Sequence, residues 1–173
     1  MPLPARLPGG PSRAKARPMS SSASPTAHRE CTTSRLIDAP PARVFRAIAG
    51  PEHLARWWGP NGFSSTFELF EFRPDGHWRF TLHGPDGTDY PNHNVFREIT
   101  PGRVLIEHLS DDNHHFVLTI TLASEGKGTR VGWQQVFDTA EHREQIAAFV
   151  LPANEQNLDR LTAEVQRVDW PEA

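Results

Sequence analysis

Nine histidines and a single cysteine are the side chains of this chain with the most obvious chemistry. A metal site needs two or more ligands brought together, commonly through His-x-His or His-x-x-x-His spacing. His114 and His115 are adjacent, so on a strand they point to opposite faces. His93 and Glu98 resemble part of a cupin metal motif, but no second histidine stands at the matching spacing. Cys31 stands alone, which excludes an internal disulfide and a cysteine-based zinc site. No metal and no other cofactor is expected. For acid–base work the candidates are His83, His93, His108, Tyr90, Glu107 and Arg79. None belongs to a sequence signature of nucleophile, base and orienting group. A Gly-x-Ser-x-Gly elbow, a phosphate-binding glycine loop and acids paired at a telling spacing are all missing from the sequence. No catalytic residue is therefore assigned.

Two asparagines are more informative. On a helical wheel, Asn154 and Asn157 fall among Val150, Leu161 and Val168, inside an apolar stripe. An unpaired buried amide costs roughly 1–3 kcal/mol. The two carboxamides therefore bond to nearby backbone, such as the carbonyl freed by Pro152, or they face a cavity that holds polar groups. Aromatic residues recur on alternating strand positions: Trp78, Phe80, Phe116 and Trp133. Such a set serves a packed core or the wall of an apolar pocket. Trp57 and Trp58 are adjacent and cannot share one helix face, so one anchors a helix while the other lines or gates a pocket mouth. His108 shares the phase of Val104 and Ile106, which points it inward.

The elements that must position these residues follow from periodicity. Glu30 to Ile37 reads as a first strand. Asp38 is the expected N-cap of a helix that opens at Pro40-Pro41, carries Val44, Phe45 and Ile48 at helical spacing, and stops at Gly50-Pro51. Glu52 to Trp58 allows a second short helix. Phe63 to Phe72 switches phase partway, which predicts a bulge or a strand buried on both faces. Pro74-Asp75-Gly76 is a turn in which glycine is expected to take the positive φ, and Pro85-Asp86-Gly87 is a second turn. Between and after them lie four more alternating segments and the strand ending at Phe137, separated by Pro101-Gly102, Asp111-Asp112-Asn113 and Gly126-Lys127-Gly128. Asp138 with Glu141 resembles a capping arrangement for a long C-terminal helix, with a kink or a break expected at Pro152. The order is one strand, two short helices, about six antiparallel strands and one long helix, an α+β domain whose sheet curls around that helix.

Composition narrows the functional classes. The net charge is −3, too small for a bulk electrostatic grip on nucleic acid. No run approaches the roughly 20 apolar residues of a membrane span. Residues 1–28 contain Arg6, Arg13, Lys15 and Arg17 and no acid, are rich in Pro, Ser and Gly, and show no apolar periodicity. That segment is expected to be disordered, and residues 29–173 form the domain. Met19 is an alternative start. The lone cysteine fits a reducing, cytoplasmic setting.

DAPPARVFRAI (38–48) followed by WWGP (57–60) resembles the opening of the helix-grip, START-like SRPBCC domains. HGPDGTDYPNHNVFREITPGR (83–103) is similar to the branch containing the C-terminal domain of the heat-shock-protein-90 ATPase activator and the calicheamicin-resistance protein. The resemblance implies a curved antiparallel sheet around the last helix, enclosing an apolar cavity for a hydrophobic or amphipathic, lipid- or polyketide-like small molecule. It also implies two alternatives, a polyketide cyclase- or hydrolase-like enzyme using the same cavity and a module that stimulates a chaperone ATPase. On the binding reading the ligand-contacting set is Trp57, Trp58, Trp78, Phe80, Tyr90, His108, Phe116, Trp133, Asn154, Asn157 and Leu161.

Overall fold

The structure is a computed structural model that describes residues 24–109, 114–167, 169 and 170. The expected disorder of residues 1–28 falls mostly outside that range, as does the turn at Asp111-Asp112-Asn113. The described residues of that segment, 24–28, run into a short 3-10 turn, Ala27–Arg29, and Arg29 donates to the Phe137 carbonyl at 2.7 Å.

Strand β1 (Glu30–Ile37) leads into α1 (Pro41–Ala49) and α2 (Pro51–Trp57). Six strands follow: β2 (Ser64–Phe70), β3 (His77–His83), β4 (Asp89–Thr100), β5 (Arg103–Leu109), β6 (Phe116–Glu125) and β7 (Gly128–Phe137). Helix α3 (Ala140–Val165) closes the fold. The seven strands form one antiparallel, curved sheet in the order β1-β7-β6-β5-β4-β3-β2. Every neighbour except the β1–β7 pair is sequential, because tight turns join consecutive strands while β1 crosses back to pair with the last one. Helix α3 lies against β1, β7, α1 and α2.

The phase switch in the second strand is a bulge between Phe67 and Leu69. Several local readings change. Asp38 does not cap α1: it is exposed and two residues too early, Pro40 is the N-cap, and Pro41 fills the first helical position. Helix α3 is capped by Thr139, whose hydroxyl accepts from the His142 amide at 3.1 Å; Asp138 instead binds His115 Nδ1 at 2.7 Å. The positive φ of the Pro74 turn belongs to Asp75, at 59°, not to Gly76. Gly76 is needed for closeness, since a Cβ there would meet the Glu71 carbonyl oxygen at 2.1 Å. Pro152 sits inside a single helix rather than dividing two, and the helix ends at Val165.

Alternation places Thr129, Val131, Trp133, Gln135 and Phe137 of β7 inside, with partly covered residues between them. The apolar interior falls into two clusters. The larger one holds Ile37, Val44, Ile48, Trp78, Phe96 and Leu158 with their neighbours. The smaller one holds Cys31, Phe137, Ala147 and Val150, and Phe116 packs against both.

Candidate ligand cavity

Between the two clusters runs a layer of polar side chains. Along α3, Val150 belongs to the smaller cluster and Leu158, Leu161 and Val165 to the larger, with Asn154 and Asn157 in between. Along β7 the same sequence is Phe137, Gln135, Trp133. In register across the sheet, Asn94 pairs with His108, and His108 with Phe116. Asn94, His108, Gln135, Asn154 and Asn157 are all buried. Buried amides at one level of an apolar core demand partners.

Those partners define a cavity of about 160 Å³. Asn154 Nδ2 donates to Gln135 Oε1 at 3.2 Å across the gap between α3 and β7. His108 Nδ1 bonds to Asn94 Oδ1 at 2.8 Å. With a carbonyl oxygen as acceptor, Nδ1 carries the proton and Nε2 remains an acceptor. Burial, reinforced by the neighbouring His114, His115 and His93, lowers the His108 pKa to about 4, so the ring is neutral near pH 7. The ring is stacked on Phe116 at 4.7 Å. His114 also lines the cavity; burial and His142, whose Nε2 lies 3.0 Å from His114 Nδ1, lower its pKa. Phe80, Leu82 and Leu118 supply apolar sheet wall, and Phe149, 65% exposed on α3, stands at the edge.

The remaining wall is the loop Trp58-Gly59-Pro60, which α3 holds by its backbone. Asn157 Oδ1 accepts from the Gly59 amide at 2.8 Å, and Asn157 Nδ2 donates to the Ala153 carbonyl at 3.1 Å. The Arg160 guanidinium donates to the carbonyls of Gly59 at 2.7 Å, Arg56 at 2.8 Å, Pro60 at 3.0 Å and Trp58 at 3.4 Å. Gly59 has φ +100°, a conformation that essentially only glycine adopts without strain. This fixes Trp58, whose ring lies 4.9 Å from Trp78 and 5.9 Å from Trp133.

Seven of the eleven residues expected to contact a ligand line this cavity: Trp58, Phe80, His108, Phe116, Trp133, Asn154 and Asn157. Four do not. Trp57 is the anchor of the tryptophan pair, fully buried with its Nε1 donating to the Ala47 carbonyl at 2.8 Å. Trp78 and Leu161 are core residues behind the wall. Tyr90 is 45% exposed and packs on Phe63 outside the cavity. Asn157 does not take the carbonyl freed by Pro152, because the loop amide and its own helical turn occupy it. Of the acid–base candidates only His108 reaches the cavity. His83 bonds to Asp89 and Thr66 at exposed positions, His93 pairs with His77, and Glu107 is tied to Arg97 and His115. Among the described residues no cluster of three or more metal-type ligands occurs, and no helix is long and apolar enough to cross a membrane.

Asn92, Asn94, Gln135 and Phe149 are lining residues that the sequence reading did not assign. Gln135 carried a legible signal, a carboxamide on the inward phase between Trp133 and Phe137. Asn94 did not, since the polar run Pro91–Asn94 and the bulge between Phe96 and Glu98 hide the phase of β4.

A curved antiparallel sheet wrapped on one long terminal helix, with a cavity at their junction, is the α+β helix-grip architecture of the START-like superfamily. Within it, residues 38–166 match the family model of the activator of Hsp90 ATPase homolog 1-like proteins, and the chain belongs to that family. A protein from Arthrobacter aurescens superposes with a TM-score of 0.75 at 20% identity, over 87% of this chain and 97% of its own. For one from Nitrosomonas europaea the values are 0.74 and 20%, over 81% and 96%. For one from Chromobacterium violaceum they are 0.68 and 26%, over 80% and 98%. No curated protein matches the sequence.

Proposed function

We propose that the domain binds a small hydrophobic or amphipathic molecule in the cavity between α3 and the sheet. The observation that carries this is the buried polar layer, Asn94, His108, Gln135 and Asn154, set into aromatic walls around one gap. An apolar enclosure with a few fixed polar groups is the general form of a small-molecule site. The volume of about 160 Å³ limits the occupant. Ligand pockets commonly run to roughly 300–1,000 Å³, whereas a cavity of about 150 Å³ takes a benzene ring. A whole polyketide or lipid exceeds that space, and a single ring or a short branched chain matches it. Catalysis is the weaker reading. A general base works best with a pKa near the operating pH, and His108 is held at about 4.

Native mass spectrometry of freshly purified protein, joined to a thermal-shift screen of one-ring compounds, tests the proposal. A stoichiometric small adduct, or saturable stabilisation by ring compounds that Leu118→Trp abolishes, is expected. Protein that carries no adduct and is stabilised by none of them overturns it. Comigration with a chaperone in that case transfers weight to the ATPase-stimulating role that the family's description names.

A further inference from the structure

The polar side chains of the cavity differ in what they still require. Asn157 is satisfied on both sides, by Gly59 and Ala153. Asn154 and Gln135 are joined by one bond only, from Asn154 Nδ2 to Gln135 Oε1 at 3.2 Å. That bond uses one N–H and one carbonyl oxygen, and it leaves Asn154 Oδ1 and Gln135 Nε2 with no partner among the described residues. Side-chain polar atoms that are both unpartnered and sealed belong, among the described residues, to Arg43, Trp78, Trp133 and Trp170, not to these two amides. Asn154 and Gln135 are buried and both line the cavity, so their free atoms open onto it. Turning both amides over exchanges their roles and still leaves one donor and one acceptor.

Apolar side chains flank this couple. Leu118 stands opposite Gln135 in the register of β6 and β7, Trp133 lies two residues along β7 on the same face, and Val150 precedes Asn154 by one turn of α3. All three line the cavity. Asn94 and His108 form a second couple, joined through Asn94 Oδ1, but it sits on β4 and β5. Strands β5 and β7 are two strand spacings apart, roughly 10 Å, so a six-membered ring engages one couple and not both. The Asn154–Gln135 couple is the one that ties helix to sheet.

We propose that the Asn154–Gln135 couple recognises a ring compound with a cis-amide edge, a lactam of the 2-pyridone type, whose N–H donates to Asn154 Oδ1 and whose carbonyl oxygen accepts from Gln135 Nε2. This rests on the cavity being a binding site, and it adds the chemical class of what is bound. A group that only donates or only accepts leaves half of the couple unpaired, and a buried polar site discriminates against such a partner. A cis-lactam ring carries both functions on neighbouring atoms. Its size is that of benzene, which a cavity of about 160 Å³ admits.

Isothermal titration of the full chain with 2-pyridone, N-methyl-2-pyridone and toluene at pH 7 tests this. Methylation removes the donor and keeps the ring and its carbonyl, and toluene matches the methylated compound in size. The unmethylated lactam should bind about tenfold more tightly than its N-methyl form, the effect of one net hydrogen bond, although the methyl group adds apolar surface. Gln135→Met keeps the length of the side chain and removes the amide; it should weaken 2-pyridone about tenfold and leave toluene as tight or tighter. If that variant does not fold, the comparison of the two lactams on wild type decides alone. The N-methyl form binding as tightly as 2-pyridone, or Gln135→Met weakening toluene and 2-pyridone equally, overturns the inference while leaving a binding cavity. Failure of all three compounds to bind removes the cavity reading itself.

Discussion

Replacing Asn157 by leucine removes the acceptor of the Gly59 amide and nothing else of comparable weight. The amide is buried, with Asn157 Oδ1 at 2.8 Å as its partner. An orphaned buried donor costs roughly 1–3 kcal/mol. Loss of the second contact, to the Ala153 carbonyl, costs little, because that carbonyl also lies one helical turn before the Asn157 amide. Leucine of similar volume avoids a void, so the expected loss is about 2 kcal/mol, or roughly 4–8 °C in melting temperature. Asn154→Leu is the control. Its partner Gln135 Oε1 belongs to a cavity-lining side chain, where a water can replace the lost donor as it cannot behind the loop, so the loss should stay under about 1 kcal/mol. Denaturant unfolding followed by tryptophan fluorescence measures both, and Trp58 reports directly on the loop. Asn157→Leu should also weaken ligand binding, since Trp58 loses one of its two tethers to α3. Equal stability of the two variants, or Asn157→Leu matching wild type, would refute the claim that this side chain holds the wall.

Four further outcomes are expected. The His108 pKa is depressed to about 4, so its stabilising contribution is present above about pH 6.5 and is lost as pH falls toward 4; over that window wild type should lose up to roughly 3 kcal/mol more than His108→Gln in denaturant titrations. His115 behaves oppositely: burial opposes its charge, but Glu107 and Asp138 outweigh burial and raise its pKa. Its contribution is therefore complete below about pH 6.5 and disappears as pH rises through the raised value, and His115→Asn should destabilise at pH 5.5 more than at pH 8. Gly59→Ala places a Cβ at φ +100° and 3.2 Å from Leu82 Cδ2, which should cost about 1–3 kcal/mol and weaken binding in calorimetry. Removing residues 1–23 should move the melting temperature by no more than about 2 °C, as their composition predicts, whereas removal through Arg29 also deletes the bond to the Phe137 carbonyl and should move it further.

Periodicity made the architecture readable, because strands with one buried face must alternate and α3 must carry an apolar stripe. The alternation at Trp78 and Phe80, at Phe116 and Leu118, and at Val131 and Trp133 gave both the strands and their inward face. The anomaly at Asn154 and Asn157 located the polar layer for the same reason. Caps were less readable: Asp38 and Asp138 are good capping residues by type, yet the backbone turns one or two residues later. Separating Trp58 from Trp78 was out of reach, since both are inward and aromatic. Only the loop path set by Gly59, Asn157 and Arg160 decides which ring meets the cavity. The Asn94–His108 pair depends on strand register across the bulge at Phe96–Glu98, which local sequence does not specify.

The pairing of β1 with β7 has a consequence for synthesis on the ribosome. Glu30 pairs with Val136, so the first strand to emerge waits for the last strand to be made, about a hundred residues later. At cellular translation rates that interval is roughly 5–20 s. During it β1 has no strand to pair with, and β7, once made, exposes a free edge until β1 returns to it. Helix α3 lies on both β1 and β7 and is translated last of all. The nascent sheet can assemble hairpin by hairpin from β2 to β7 and then take in β1, but the cavity, one wall of which is α3, is complete only after that helix leaves the tunnel.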